Sequence, residues 1–338
     1  MTIDEIKLSA RYEHVLRLLI DEHIRTGASV GSRTISKMLS ETLSSATVRN
    51  IMQDLEDMGL VRQPHTSAGR VPTTVALRYY ITNMMKPKKL TEEEQKTIEK
   101  IFLGEFSDIL QLLEGLGKIL AALSDELGLI IAPAGEELIL HRLEIVPLSS
   151  THIVMVLVTK TGLTKSMIME IPDIPRTKIE NLKERLNQRL SGLKFCEIKT
   201  TISERLSDLE RLFGSFTTRL IHSAEQIFKM EDEVTALFGR ENILRKPEFA
   251  DPERLRQVME LSEENDILMK CLPSEIINEV EILIGPPSAT ELGIVVAKYP
   301  IGASHGVLGV IGPTRMDYSR LVELVSFTAQ KMSQTWKA

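Results

Sequence analysis

The chain has little cysteine and no long apolar run. Its only cysteines among 338 residues are Cys196 and Cys271, which lie far apart and form no CxxC motif. This argues against a disulfide framework and a zinc ribbon, and predicts two buried, reduced thiols. The apolar segment 153–158 is far shorter than the roughly 20 residues of a membrane-spanning helix, and the first residues include acids where a signal peptide carries cations. We therefore expect a soluble, cytoplasmic protein with no membrane partner.

Motifs that would indicate an enzyme or a metal centre are also missing. The segment 115–118 reads GLGK, but it lacks the first glycine and the final Ser or Thr of a phosphate-binding loop. The histidines are scattered, without HExxH or neighbouring pairs of carboxylates. Gly302, Gly306, Gly309 and Gly312 could let a ligand approach the backbone, but they fall in a strand pattern, where glycine usually serves packing. We predict no enzyme, no cofactor and no metal.

Positive charge is scarce overall but is concentrated at the N-terminus. The net charge is −6, yet residues 1–90 contain 13 Lys and Arg against 9 Asp and Glu, a balance of +4. The remaining residues contain 28 and 38, a balance of −10. Phosphate contacts need local cations and not a basic whole protein, so the N-terminal part remains a candidate for binding nucleic acid.

The segment 43–60, LSSATVRNIMQDLEDMGL, has the pattern of a DNA-recognition helix. Val48, Ile51, Met52 and Leu55 fall at i, i+3, i+4 and i+7, so they share one stripe that must face a core. Ser44 is a suitable N-cap, and Gly59 suits the left-handed residue that ends many helices. The pattern predicts a helix over about 45–58.

The opposite face of this helix carries side chains suited to the DNA major groove. Arginine can fork onto guanine, asparagine and glutamine can pair with adenine, and threonine can contact a base or the thymine methyl. Arg49, Asn50 and Gln53 are the predicted base readers. Further DNA-binding candidates are Ser45 and Thr47 on this helix and Arg33 on the helix before it.

The segment after Gly59, LVRQPHTSAGRVPT, predicts two short strands around a turn. We expect the tip of this wing to carry His65, Thr66, Ser67 and Arg70, which can bond phosphate or enter the minor groove. With two preceding helices, the first 75 residues form a predicted winged helix-turn-helix. The alternative is an amphipathic helix and hairpin of an ordinary α+β domain, whose polar face only meets water.

The rest of the chain alternates between helical and strand patterns. A break at 86–89, KPKK, places the first boundary near residue 90, so that 1–90 is the DNA-binding domain. Leucines in 113–127 form a seam that is either core or dimer surface. Strand patterns follow in 129–171 and return in 280–311, and we expect the two groups to pair across the mainly helical segment between them. The predicted fold is α+β and multidomain: 91–197 and 276–338 form one sheet domain, and 198–275 is inserted into it.

Three strings resemble the heat-inducible transcription repressor HrcA family. They are SSATVRN at 44–50 and QPHTSAGRVPT at 63–73 near the N-terminus, and IGPTRMDY at 311–318 near the C-terminus. Because they lie at both ends, the resemblance spans nearly the whole chain. It implies that the α/β sheet domain is GAF-like and that the insertion is a dimerisation domain.

The resemblance also implies a function. A member of this family would be a homodimeric repressor that binds an inverted-repeat operator of the CIRCE type in double-stranded DNA before chaperone operons. It would depend on the chaperonin GroEL and lose repression on heating. The alternative is a metabolite-responsive winged-helix regulator whose GAF-like domain binds a ligand; a metabolite-dependent shift of the thermal midpoint would favour it.

Overall fold

The computed structural model describes residues 6–40, 42–66, 68–104, 109–132, 135–170, 176–229, 235–263, 265–273, 276–301 and 304–336. Its first part contains α1 (Ala10–Thr26), α2 (Ser32–Met38), α3 (Ser45–Asp57), β1 (Val61–Arg62), β2 (Val71–Pro72) and α4 (Thr74–Asn83). β1 and β2 pair antiparallel as a two-stranded wing. Three helices followed by a hairpin are the order of a winged helix-turn-helix, which confirms the predicted architecture of this part.

The second part begins with two helices that lead into a sheet. These elements are α5 (Glu92–Phe102), α6 (Ile109–Ser124) and β3 (Leu127–Ile131). Thr91 caps α5 in a capping box with Glu94, in which each residue's side chain accepts a hydrogen bond from the other's backbone N–H. A three-stranded sheet and five helices follow: β4 (Leu140–Pro147), β5 (His152–Thr159), β6 (Thr164–Glu170), α7 (Arg176–Leu190), α8 (Phe195–Leu206), α9 (Leu209–Phe213), α10 (Ser215–His222) and α11 (Ala224–Ile227).

The chain then returns to the sheet that contains β3. The remaining elements are β7 (Thr235–Phe238), α12 (Arg240–Leu244), α13 (Pro252–Glu263), α14 (Asn265–Cys271), β8 (Glu281–Ile284), β9 (Leu292–Ile301), β10 (Ser304–Pro313) and α15 (Tyr318–Trp336). Two short 3-10 turns lie at Gly135–Glu137 and Pro247–Phe249. Among the helices of the described segments, none is long and apolar enough to cross a membrane.

The larger sheet has five strands in the order β7-β3-β10-β9-β8, and each neighbouring pair is antiparallel. Its two faces have separate cores. Ile130 and Leu308 point to the face that α6 and α15 cover, whereas Leu129 and Ile294 point to the face that α12–α14 cover. Because both faces are buried, all five residues of β3 are buried.

The smaller sheet, β4-β5-β6, is a separate layer. Along β5, fully buried residues alternate with half-buried ones, so only one face of this sheet is closely packed. Asn187 on α7 protects the edge strand β4, since its side chain bonds both the backbone N–H and the C=O of Leu143, at 2.8 and 2.7 Å.

The α+β class is confirmed, but the strands are connected differently from the prediction. Of the first predicted group only β3 pairs with the later strands, while β4–β6 form their own sheet. β7 and α12–α14 lie within the predicted insertion 198–275, yet they belong to the five-stranded sheet and its covering layer. In the structure, the chain leaves this sheet after β3 and returns at β7. The alternating burial of β4 and β5 and the uniform burial of β3 are the physical reason for the split.

Candidate nucleic-acid interface

Helix α3 is fixed in place by its cap and by its apolar stripe. The Ser44 hydroxyl accepts a hydrogen bond from the Thr47 backbone N–H at 3.1 Å, as an N-cap should. The predicted stripe, Val48, Ile51, Met52 and Leu55, is at most 4% exposed. Gly59 follows the helix with a φ of +73°, the left-handed conformation that favours glycine. The opposite face therefore points away from the core.

That outward face carries two of the predicted base readers without any internal partner. Arg49 and Asn50 are exposed, and neither forms a hydrogen bond or ion pair with another described residue. Arg33, on α2, is also exposed and unpartnered within the same described segments. Because these side chains have no hydrogen bond or ion pair to break, they can bind a polyanion directly.

Ser45 and Thr47 have structural contacts at the start of α3. The Ser45 hydroxyl lies 3.1 Å from that of Ser32, which begins α2, and so joins the two helices of the helix-turn-helix. The Thr47 hydroxyl lies 2.9 Å from that of Ser44. A hydroxyl can still accept or donate a second bond, so these contacts leave both residues able to touch DNA.

Gln53 and Arg70 are tied to each other and to carboxylates on α3. The Arg70 guanidinium lies 2.8 Å from Glu56 and donates to the Gln53 side-chain oxygen at 3.2 Å. The Gln53 amide nitrogen donates to Asp57 at 3.1 Å. Arg70 is only 15% exposed, and its Nε is buried without a partner among the described residues. In this conformation Arg70 lies at the base of the wing and not at its tip, so a phosphate contact would require it to exchange partners.

The wing is shaped by Glu56 and Gln63, which the sequence pattern did not reveal. Glu56 accepts from the Gln63 backbone N–H at 2.9 Å. The Gln63 side chain donates to the carbonyls of Thr66 and Ala68, at 2.9 and 3.0 Å, and closes the turn. Helical periodicity cannot signal such contacts, because they join residues on either side of a turn.

The tip of the wing presents the other predicted residues. His65 and Thr66 are exposed, whereas Ser67 lies outside the described residues. The base of the wing is pinned to the chain before α2, since Val30 and Arg70 exchange two backbone hydrogen bonds of 2.8 Å. Gly69 makes this approach feasible: a Cβ there would lie 2.3 Å from the Val30 carbonyl oxygen.

Two acidic residues of α1 are engaged inside the winged-helix unit. The Tyr79 hydroxyl donates to Glu13 at 2.8 Å, and the Tyr80 hydroxyl donates to Asp21 at 2.9 Å. Burial and the neighbouring Glu13 raise the pKa of Tyr79 to about 12. Burial likewise raises the pKa of Tyr80. Both phenols therefore stay protonated donors, and these carboxylates are occupied within the fold.

Among the described residues, polar contacts of Arg315, Arg78 and Lys88 join the winged-helix unit to the rest of the protein, and we call these contacts the joint. Arg315 donates from Nη1 to the Ile24 carbonyl at 3.2 Å and pairs through its other nitrogens with Glu248. Arg78 on α4 donates to the Ile284 carbonyl at 2.6 Å. The Lys88 backbone N–H donates to the Ser319 carbonyl at 2.8 Å.

Arg315 and Tyr318 both lie in the C-terminal string IGPTRMDY, but they make different contacts. The Tyr318 hydroxyl donates to the Thr314 carbonyl at 2.8 Å within that segment, whereas Arg315 reaches across to the end of α1.

A buried carboxylate lies behind the joint. Glu126 is 5% exposed; one of its oxygens lies 3.0 Å from Lys246, and the other has no partner among the described residues. Burial raises the pKa of Glu126 to about 7, against the attraction of Lys246 and Arg315. Within the described segments, no group of three or more His, Cys, Asp or Glu side chains is arranged to hold a metal ion.

Two protein families match consecutive parts of the chain. Residues 7–86 match the "Winged helix-turn-helix transcription repressor, HrcA DNA-binding" family, and residues 110–322 match the "HrcA protein C terminal domain" family. The first match covers the outward face of α3 and the wing. The second covers both sheets.

Full-length relatives carry the same name. The heat-inducible transcription repressor HrcA of Syntrophobacter fumaroxidans is 36% identical over 97% of both chains. The chain belongs to the HrcA family. The HrcA of Chlorobium phaeobacteroides is 34% identical and covers 97% of this chain and 98% of its own. The resemblance seen in the short strings of the sequence is thus confirmed over nearly the full length.

The fold also resembles that of a solved structure. It is described as the crystal structure of a hypothetical protein, with a TM-score of 0.65 and 24% identity, covering 98% of this chain and 99% of its own. At this identity the likeness concerns the fold alone. The HrcA architecture described above, from wing to last helix, therefore has an experimental counterpart.

Proposed function

We propose that this HrcA-family chain is a sequence-specific repressor that binds, as a homodimer, an inverted-repeat operator before heat-shock operons. The observation that carries the proposal is the outward face of α3, where Arg49 and Asn50 are exposed and unpartnered opposite a fully buried stripe. The names of the relatives, heat-inducible transcription repressors, support repression as the outcome of binding.

Base reading is assigned to α3. Arg49 offers a planar fork of donors that matches the O6 and N7 acceptors of guanine, and Asn50 matches the N6 and N7 of adenine. Gln53 becomes a third reader once its amide leaves Asp57 and Arg70. Ser45 and Thr47, at the N-terminal end of α3, contact bases or the adjacent phosphate, because helix N-termini point into the groove in this class of protein.

Backbone contacts are assigned to the wing and to α2. His65 and Thr66 at the wing tip, Ser67 next to them in the sequence, and Arg33 on α2 bond phosphates or enter the minor groove. Arg70 joins them by exchanging Glu56 for a phosphate, which is also an anion and so replaces the lost pair. These contacts carry affinity without sequence preference.

A homodimer is proposed because two recognition helices read an inverted repeat through two-fold symmetry. The outer face of the three-stranded sheet is the surface on which we place the second copy. Val146, Val154 and Ile168 lie side by side on its strands, and Val146 and Ile168 are 50% and 68% exposed. Covering them would remove exposed apolar area. The segment between β3 and β7, which contains this sheet, thereby takes the role that the family resemblance gave to the inserted dimerisation domain, 198–275.

The proposed regulation follows the family resemblance. The operator is of the CIRCE type before chaperone operons, and the repressor acts in the cytoplasm, where the DNA lies. GroEL maintains the active form. On heating, misfolded client proteins occupy GroEL, so less of it is free to bind the repressor. Because the repressor is only marginally stable, its folded population then falls.

Genomic footprinting with the purified protein tests this function. We expect one recurring inverted repeat beside chaperone genes. The double variant Arg49→Ala/Asn50→Ala should lose it, while Arg185→Ala, at a remote arginine that bonds Asn181 within α7, should retain it. Footprints that scatter without a common sequence, or that the double variant preserves, would contradict the proposal.

A further inference from the structure

A cleft of about 450 Å³ lies between α4 of the winged-helix unit and strand β8 of the five-stranded sheet. This volume is within the roughly 300–1,000 Å³ of small-molecule sites, which occur preferentially between domains. Much of its wall is aliphatic, including Ile81, Leu272 and Ile282. The wall therefore favours an apolar ligand, and both parts of the protein contribute to it.

The charged residues that line the cleft are both cations. Arg78 comes from α4 and Lys270 from the end of α14, and both are exposed. No Asp or Glu is among the described lining residues. A wall with two cations and no acid favours a ligand that carries negative charge.

Arg78 has hydrogen-bonding capacity to spare. Its Nη2 donates to the carbonyls of Ile284 and Gly285, at 2.6 and 3.4 Å, while Nε and Nη1 have no partner among the described residues. The acceptors in use are neutral, and a carboxylate forms bonds about twice as strong with a guanidinium. Strand β8 is also an edge, paired within the described sheet with β9 alone, so the cleft lies along an open strand.

We propose that this cleft binds a small apolar carboxylate, whose charge meets Arg78 and whose hydrocarbon part lies against the aliphatic wall. Since the ligand touches α4 and β8 together, it binds the docked arrangement of the two parts better than any arrangement in which they have separated. The ligand thereby stabilises the joint. This inference stands apart from the proposed DNA function, and its test needs no DNA.

Isothermal titration calorimetry with decanoate tests the binding. Decanol supplies the same chain without the charge, and inorganic phosphate supplies an anion without the chain. We expect decanoate to occupy one site per chain and the other two compounds to bind at least tenfold more weakly. Arg78→Gln should weaken decanoate at least tenfold, whereas Arg185→Gln on α7 should not. Equal binding of decanol, or decanoate binding unchanged by Arg78→Gln, would overturn the proposal.

Tryptic cleavage after Lys88 and Lys89 tests the effect on the joint. The Lys88 backbone is bonded to Ser319 while the two parts are docked, so decanoate should slow cleavage there severalfold. Thr82→Phe adds bulk at an exposed lining residue and keeps Arg78, so it should abolish both binding and protection even if Arg78→Gln fails to fold. Cleavage that decanoate does not slow, or protection that survives Thr82→Phe, would contradict the site.

Discussion

The outward face of α3 and the joint use their arginines in opposite ways. At the joint, Arg315 donates to the Ile24 carbonyl and pairs with Glu248, so its partners lie within the same chain. On α3, Arg49 is exposed and forms no hydrogen bond or ion pair with a described residue. A guanidinium that holds structure has its partners inside the protein, whereas one kept for a ligand is left in water. On this ground we propose that Arg315 is a structural cation and Arg49 a recognition cation.

Arg70 lies between these two cases. It is paired with Glu56 and Gln53, like a structural arginine, but it belongs to the wing and has a buried Nε without a described partner. We therefore propose that Arg70 has two states, the paired one of the free protein and a second one on DNA.

The largest effect is expected at Arg49. Arg49→Ala should relax base preference at one position in each half-site, at a cost of about 1–3 kcal/mol each, because a bidentate contact with guanine is lost. Since the side chain has no internal partner, the thermal midpoint should not change. Competition binding with single-base operator variants measures the preference. A drop in stability without a change of base preference would place Arg49 among the structural arginines.

The next effect concerns Glu126, which lies near Arg315 and faces Lys246, Asp125 and Tyr318. Its pKa is about 7 when folded, against 4.5 for an ordinary glutamate. Between these values the folded protein keeps a proton that the unfolded chain releases, so the free energy of unfolding falls as pH rises. Between pH 4.5 and 8 the wild type should lose on the order of 3 kcal/mol of its free energy of unfolding. Glu126→Gln has no titrating group at this position, so it should not show this loss.

Thermal unfolding of both proteins across that pH range measures the difference. The matched control is Asp125→Asn, because this neighbouring carboxylate also pairs with Lys246 but is 70% exposed. The control should follow the wild type. If the free energy of unfolding changed with pH in the same way in the wild type and in Glu126→Gln, the charge of Glu126 would already be compensated by Lys246 and Arg315.

A smaller effect is expected at Arg315. Arg315→Ala removes the bond to Ile24 and leaves Glu248 without its partner, at a cost of about 2 kcal/mol to the joint. The rate of tryptic cleavage in 86–89 should rise, while the preferred bases stay the same. A changed base preference would mean that the joint, and not α3 alone, selects the sequence.

The smallest effect is expected at Arg70. If it exchanges Glu56 for a phosphate, Arg70→Ala weakens all DNA sequences alike and flattens the salt dependence of binding by about one unit. Glu56→Gln is the companion variant, because it releases Arg70 without removing its charge. If the salt dependence of DNA binding were unchanged in Arg70→Ala, Arg70 would have a structural role only.

The sequence predicted the parts of this fold that depend on local periodicity. The stripe from Val48 to Leu55 located α3, and Ser44 and Gly59 located its ends, since capping and amphipathicity act over a few residues. The separate sheet of β4–β6 was missed, because strand patterns do not specify which distant strand is the partner.

The candidate site, too, could be predicted only where it depends on residues close together in the sequence. Side-chain chemistry selected Arg49 and Asn50, and their exposure agrees with the helix phase. It also selected Gln53 and Arg70, but their bonds to Asp57 and Glu56 depend on how the wing folds back onto α3. The contact of Arg315 with Ile24 joins residues at opposite ends of the chain, so no local pattern could signal it.

Selection from a random DNA library by the wild type and by Asn50→Ala measures which bases α3 reads. If the outward face of α3 reads bases, the wild type selects an inverted repeat, and Asn50→Ala selects the same repeat with preference lost at one symmetry-related pair of positions. An identical repeat selected by both proteins, with every position retained, would contradict the account.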